Sequence, residues 1–105
     1  NERNKLLKDA KALEDSGAFG IVLECTYSDI SKNISKLLKI PTIGIGASVH
    51  CDGQVLVTDD ILGLTDAKIK FVKKYTNIKK IINSAVFKFK QEVKSKKYPT
   101  KKYSY

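Results

Sequence analysis

The sequence predicts an α/β fold in which parallel strands alternate with helices, and three observations predict it. Two apolar runs, residues 18–23 and 40–46, lack polar alternation, as strands covered on both faces of a parallel sheet do. Stretches with apolar residues at helical spacing precede each of them. The connections are short, which favours a right-handed βαβ crossover. Such strands and helices cannot cover one another within this length: both strand faces read as apolar and both sheet edges stay open. A (βα)8 barrel, which takes about 250 residues, supplies the cover, and the order strand, helix, strand, short turn, strand, long helix suits its closing third. The expected fold is thus the C-terminal part of a (βα)8 TIM barrel, with residues 1–105 a partial barrel domain holding only the C-terminal strands and helices.

Each element follows from its own signals. Leu6, Ala10 and Leu13 predict a helix over residues 4–16, with Gly17 placed to stop it in the left-handed conformation. The first strand runs to Leu23, and its first polar residue is Glu24. Ser28 is the expected N-cap of the next helix, Asp29 lies in its first turn, and Ile30, Ile34, Leu37 and Leu38 form its stripe. Lys36 and Lys39 sit near its C-terminus, where the helix dipole favours cations. The second strand, residues 40–46, carries Pro41 at its start, where no ladder hydrogen bond is forfeited. A loop over 47–53 leads to a third short strand over 54–57. Asp59 or Asp60 begins a helical turn through Leu62 that Gly63 closes. The longest helix is expected over 77–96, where Ile78, Ile81, Ile82, Ala85, Val86, Phe89 and Val93 trace an apolar stripe that needs another element to cover it. Pro99 ends the helical part, and residues 100–105 are a polar and aromatic tail.

Composition narrows the function classes. With 42% apolar residues the chain folds and is not a disordered segment. It opens on Asn1 inside a helix-forming run and has no Met, so the start is not expected to be a natural N-terminus. No run approaches the roughly 18–20 apolar residues of a bilayer span, and nothing at the start resembles a secretory signal, so a cytoplasmic setting is expected, without a membrane partner. Cys25 and Cys51 have no metal-ligand spacing and read as free, reduced thiols. The net charge of +9 comes largely from late lysines, Lys73 to Lys102, against a single arginine, Arg3. Readers of bases rely on Arg and stacking aromatics. Two readings stay open: a solvated basic helix face with no nucleic acid bound, or a small basic nucleic-acid or polyanion-binding module.

In a barrel the catalytic groups sit at the C-terminal ends of strands, and Glu24 holds that position. Alternation sets Gly20, Val22 and Glu24 on one face and Phe19, Ile21 and Leu23 on the other, so that bulky residues meet helices and the carboxylate points to the barrel axis. The same reading of the second strand turns Thr42, Gly44 and Gly46 inward, leaving room for a ligand. The bland alternative for Glu24 is a carboxylate that caps the next helix or pairs with a lysine. His50 reads as an incidental loop residue, so no histidine triad is available. Asp52, Asp59 and Asp60 read as turn or capping residues before metal ligands. Cys25 reads as packing before nucleophile.

The run Ala18-Phe19-Gly20-Ile21-Val22-Leu23-Glu24-Cys25 leads in order to Ile40-Pro41-Thr42-Ile43-Gly44-Ile45-Gly46-Ala47. Cys51-Asp52-Gly53-Gln54-Val55-Leu56-Val57 then comes before Asp60 and Leu62-Gly63-Leu64. Together they resemble the ketopantoate hydroxymethyltransferase family. The resemblance implies a (βα)8 barrel that assembles as a homo-oligomer. It implies transfer of a one-carbon unit from 5,10-methylenetetrahydrofolate to 3-methyl-2-oxobutanoate in pantothenate and coenzyme A synthesis. It also implies Mg2+ chelated by the oxo acid, with metal ligands on earlier strands outside this chain, and Glu24 as the catalytic proton acceptor. The fragment alone is expected to be inactive. Three departures stand out: Ser48 where a further glycine is common, Asp59 where a histidine is frequent, and Lys102-Tyr103 in place of an acidic residue and a histidine.

Overall fold

The computed structural model describes residues 1–105. They form α1 (Glu2–Asp15), β1 (Ile21–Glu24), α2 (Ser28–Leu37), β2 (Thr42–Ile45), β3 (Gly53–Gln54), α3 (Thr58–Leu62), α4 (Ile78–Lys94) and a 3-10 turn (Lys101–Tyr103). The strands make one sheet in the order β1-β2-β3, parallel throughout. The α/β class with parallel strands therefore stands. The chain divides into two compact units, Asn1–Val57 with Lys68–Val72, and Thr58–Ala67 with Lys73–Tyr105.

In the first unit, Asn1 caps α1 by accepting the Arg3 amide at 3.1 Å, and Gly17 at φ +97° ends the excursion after it. Of the α1 stripe only Ala10 is buried, with Leu6 and Leu13 exposed, while α2 buries Ile30 and Ile34 and leaves Leu37 exposed. Ala10 of α1, Ile30 and Ile34 of α2, Leu38, Cys51 and Leu23 of β1 form the buried core, with Leu7, Ile21, Ile40 and Ala47 packed against it. Leu23 is the inward residue of β1 because its neighbours Val22 and Glu24 point to the other, exposed face.

Several boundaries differ from the sequence expectation, each for a physical reason. Phe19 does not pack beneath helices: it is 94% exposed, because the ladder begins only where the Ile21 amide donates to Pro41 O at 2.9 Å. Ser28 is the first residue of α2 and not its cap. Tyr27 holds the cap position without any capping side chain. The third strand starts at Gly53 and ends at Gln54. Its last sheet bond is the Val55 amide on Gly44 O at 3.0 Å, and the half-exposed Val55 and Val57 beyond it have no further strand to pair with.

In the second unit, α3 carries Asp59 and Asp60 in its first turn. Gly63 follows it, and a β-carbon there would lie 2.3 Å from Thr76 O, so a side chain would push the returning strand of backbone away. The Tyr75 amide donates to Ile61 O at 2.9 Å, and Lys79 meets the Asp66 carboxylate. Asn77 caps α4 by accepting the Lys80 amide at 3.0 Å. The helix buries no residue: Ile81, Ile82, Val86, Phe89 and Val93 of the expected stripe are all exposed. Beyond it the chain turns at the cis Tyr98–Pro99 bond, and the Tyr98 ring meets Phe89 edge-on at 5.5 Å. No helix is long and apolar enough to cross a membrane.

Candidate active site at the strand ends

Glu24 is the last residue of β1 and is exposed. Hydrogen bonds grip the backbone on both sides of it: the Cys25 amide donates to Ile45 O at 2.9 Å, and the Thr26 hydroxyl donates to Glu24 O at 3.3 Å. Cys25 sits at φ +51°, in the left-handed region that a non-glycine residue seldom occupies, and there the chain leaves the strand for α2. The side chain does neither of the things the bland reading asked of it. It does not cap α2, whose N-terminus has no side-chain cap, and it takes part in none of the chain's ion pairs. A carboxylate is left at a strand end on the sheet face opposite the helices.

The register corrects the expected phase of the second strand. Val22 pairs with Ile43, Leu23 with Gly44 and Glu24 with Ile45, and residues so paired in parallel strands share a face. Ile43 and Ile45, and not the glycines, therefore stand beside Glu24. Thr42 and Gly44 lie on the helix-covered face with Leu23. There Thr42 is fully buried, with its hydroxyl 2.7 Å from the Ser35 hydroxyl of α2. A β-carbon on Gly44 would lie 2.9 Å from the Gln54 amide oxygen and 3.1 Å from Cys51 Sγ. The small residues of β2 make room for the protein's own side chains and not for a ligand.

Acids hold the opposite, amino ends of the strands. Glu14 at the end of α1 accepts the Lys39 and Ile40 amides at 2.6 and 3.1 Å and pairs with Lys11. The Lys11 ammonium and then these amides hold its carboxyl at about 2. Asp52 accepts the Thr42 amide at 2.8 Å and the Thr42 hydroxyl at 3.1 Å, which holds its carboxyl below the usual range. The turn reading of Asp52 stands. Glu14 was not singled out by sequence, since its partners are backbone amides 25 and 26 residues away.

At the carboxyl ends a cleft of about 730 Å³ opens along Cys25 to Ser28, Gly46 to Val49, Gln54, and Lys70 with Phe71, whereas Glu24 lines a separate cavity of about 250 Å³ beside Leu6, Asp9 and Leu13 of α1. Its floor is tied by hydroxyls: Ser28 donates to the Ser48 hydroxyl at 3.1 Å, Ser48 accepts the His50 amide at 3.2 Å, and Gln54 donates to Ser48 O at 2.6 Å. Ser48, one of the departures from the family pattern, is thus a buried joint of this floor. Cys25 is exposed and lines the cleft, so the packing reading fails for it, while Cys51 is buried. Both thiols are free. His50 is exposed. Asp60 accepts the Thr65 hydroxyl at 2.8 Å, a turn role, and Asp59 is exposed. Lys70 and Phe71 escaped the sequence reading because residues 64–76 carry no periodicity that would place them.

A parallel α/β sheet with one acid and a cleft at its carboxyl ends, helices on the far face and stitching at the amino ends, is a segment of the class of α/β folds whose sites lie at the strand ends. The profile of the family described as ketopantoate hydroxymethyltransferase matches residues 1–101, and the chain belongs to that family. It is 62% identical over 104 residues to the 3-methyl-2-oxobutanoate hydroxymethyltransferase of Pelagibacter ubique, covering 99% of this chain and 40% of that protein. The proteins of the same name in Sulfurisphaera tokodaii and Pyrobaculum aerophilum are 50% and 48% identical over 102 residues, 97% of this chain and 38% and 39% of theirs. The chain thus spans about 40% of the length of the relatives it matches.

Proposed function

We propose that the complete protein transfers a hydroxymethyl unit, made from the one-carbon group of 5,10-methylenetetrahydrofolate and water, to C3 of 3-methyl-2-oxobutanoate, giving ketopantoate. The observation that carries this is Glu24: an acid at a strand end, on the face no helix covers, unengaged by cap or ion pair. In this reading it removes the C3 proton, and the resulting enolate attacks the donor's one-carbon group. Ile43 and Ile45, beside it in register, give an apolar wall suited to the substrate's branched end.

The same reading pairs the free edges of β1 and β3 with strands from the rest of the relatives' length, closing a (βα)8 barrel around the carboxylate. The 105-residue chain alone is then inactive. No three of its His, Cys, Asp and Glu side chains cluster so as to hold a metal, so the residues present do not fit the magnesium implied by the resemblance. Its ligands belong on the remaining strands. A homo-oligomer, with no nucleic acid or membrane partner, completes the proposal.

Glu24→Gln in the complete protein tests it. General-base removal costs roughly 10²–10⁴-fold in turnover. That loss is expected with the protein still folded, and turnover within about threefold of wild type would end the assignment.

A further inference from the structure

Glu24 and Ile45 are partners on neighbouring strands, and each is followed at once by a left-handed residue: Cys25 at φ +51° after β1 and Gly46 at φ +62° after β2. Glycine adopts that backbone freely, whereas a residue with a β-carbon does so at a cost, so the kink at Cys25 calls for a reason. Its own side chain does not supply one, since Cys25 is exposed. The surrounding hydrogen bonds do. The peptide unit that joins Glu24 to Cys25 is engaged at both polar ends: its N–H donates to Ile45 O at 2.9 Å, and its carbonyl accepts the Thr26 hydroxyl at 3.3 Å. An extended Cys25 would carry Thr26 onward along the strand axis, away from that carbonyl. The left-handed turn brings it back, and it also sends the chain toward Ser28, whose hydroxyl donates to Ser48 on the loop that leaves β2. The Glu24 side chain, by contrast, is held by no cap and no ion pair, so within this chain the backbone sets its direction.

We propose that Cys25 is a positioning residue for the base. Its left-handed backbone, and not its thiol, ends β1 directly after Glu24, locks the peptide unit between them and so fixes the line along which the carboxylate leaves the strand. The inference rests on the proposed function and adds to it a residue that acts through Glu24.

Steady-state kinetics and melting of the complete protein test it. Cys25→Val keeps an apolar side chain, but its β-branch resists positive φ. Cys25→Asn gives up the thiol and tolerates the left-handed region. Misplacing a catalytic group by about 1 Å can cost about 10²-fold, so Cys25→Val should lower kcat by about 10- to 100-fold with KM for the oxo acid within about twofold. Cys25→Asn, as the conservative variant, should retain kcat within about threefold. In a Glu24→Gln background Cys25→Val should cost less than about twofold more, because the group it aims has already lost its function. If Cys25→Val melts below the assay temperature, Cys25→Ala, which lacks the branch but also disfavours positive φ, takes its place. Undiminished kcat in whichever of these two folds overturns the positioning role, as does a KM that rises in step with the fall in kcat. A loss in Cys25→Asn as deep as in Cys25→Val overturns it too, and so does an undiminished further loss in the Glu24→Gln background. Wild-type turnover by Glu24→Gln itself overturns the proposed base, and this inference with it.

Discussion

Gly46 meets two demands that no other residue type satisfies together. Its φ of +62° costs an L side chain about 1–2 kcal/mol. A methyl group there would also strike the Phe71 ring at 2.6–2.9 Å, and overpacking of this kind typically costs about 1–3 kcal/mol. Gly46→Ala in the complete protein should therefore lower the denaturation midpoint and release Phe71. Limited proteolysis within residues 68–72 is the measurement, and unchanged cleavage would show that Phe71 is not held by this contact. Ser48 poses a milder case, since its hydroxyl joins the first residue of α2 to the loop after β2. The serine at this position has a structural role here.

Among the elements, α1 is anchored to the approach to β2 by Glu14. Its folded pKa of about 2 lies below the ordinary 4.5, so its stabilising effect is complete above about pH 4.5 and is lost as pH falls from there toward 2. Asp52 acts in the same direction at the start of β2. Amide exchange of Lys39 and Ile40 should accelerate through this window beyond the intrinsic pH trend, and Glu14→Gln should abolish the excess. Equal protection across the window in the unaltered chain would contradict the anchoring role. The elements themselves were largely legible, because stripes at 3.6-residue spacing and unalternated apolar runs mark helices and strands, even though much of the α1 and α4 stripes lies exposed. The phase of β2 was not. Placing bulky residues against helices works strand by strand, yet the register with β1 decides it, and Thr42 and Gly44 face the helices because Ser35, Gln54 and Cys51 crowd that side.

At the scale of the whole molecule, the sheet has an unpaired edge on β1 and another on β3, and α4 leaves its apolar stripe, apart from the half-buried Ile78, exposed. Two unpaired sheet edges and an uncovered helix stripe leave backbone groups and apolar surface to water. The isolated 105-residue chain should bind a hydrophobic dye such as ANS and melt without a sharp transition, followed by circular dichroism, and a cooperative melt would show that it is self-sufficient. The lysines of α4 should act as a solvated face. Filter binding to RNA at low salt is expected to give no retention, whereas steep salt-dependent retention would revive the polyanion reading. The strand-end place of Glu24 was legible because an acid ending an apolar run is conspicuous. Lys70 and Phe71 were not, since their place depends on a contact with Gly46 across 25 residues of sequence.

The carboxylate stitches of Glu14 and Asp52 lie at one end of the strands, while the neutral Ser28–Ser48 joint and the cleft lie at the other. Inheritance can therefore rewrite the two ends at different tempos. Replacements at Tyr27, Ala47 and Val49, beside the Ser28–Ser48 joint, leave the seam that sets the strands side by side untouched, which makes those positions the natural place to randomise when a new specificity is sought.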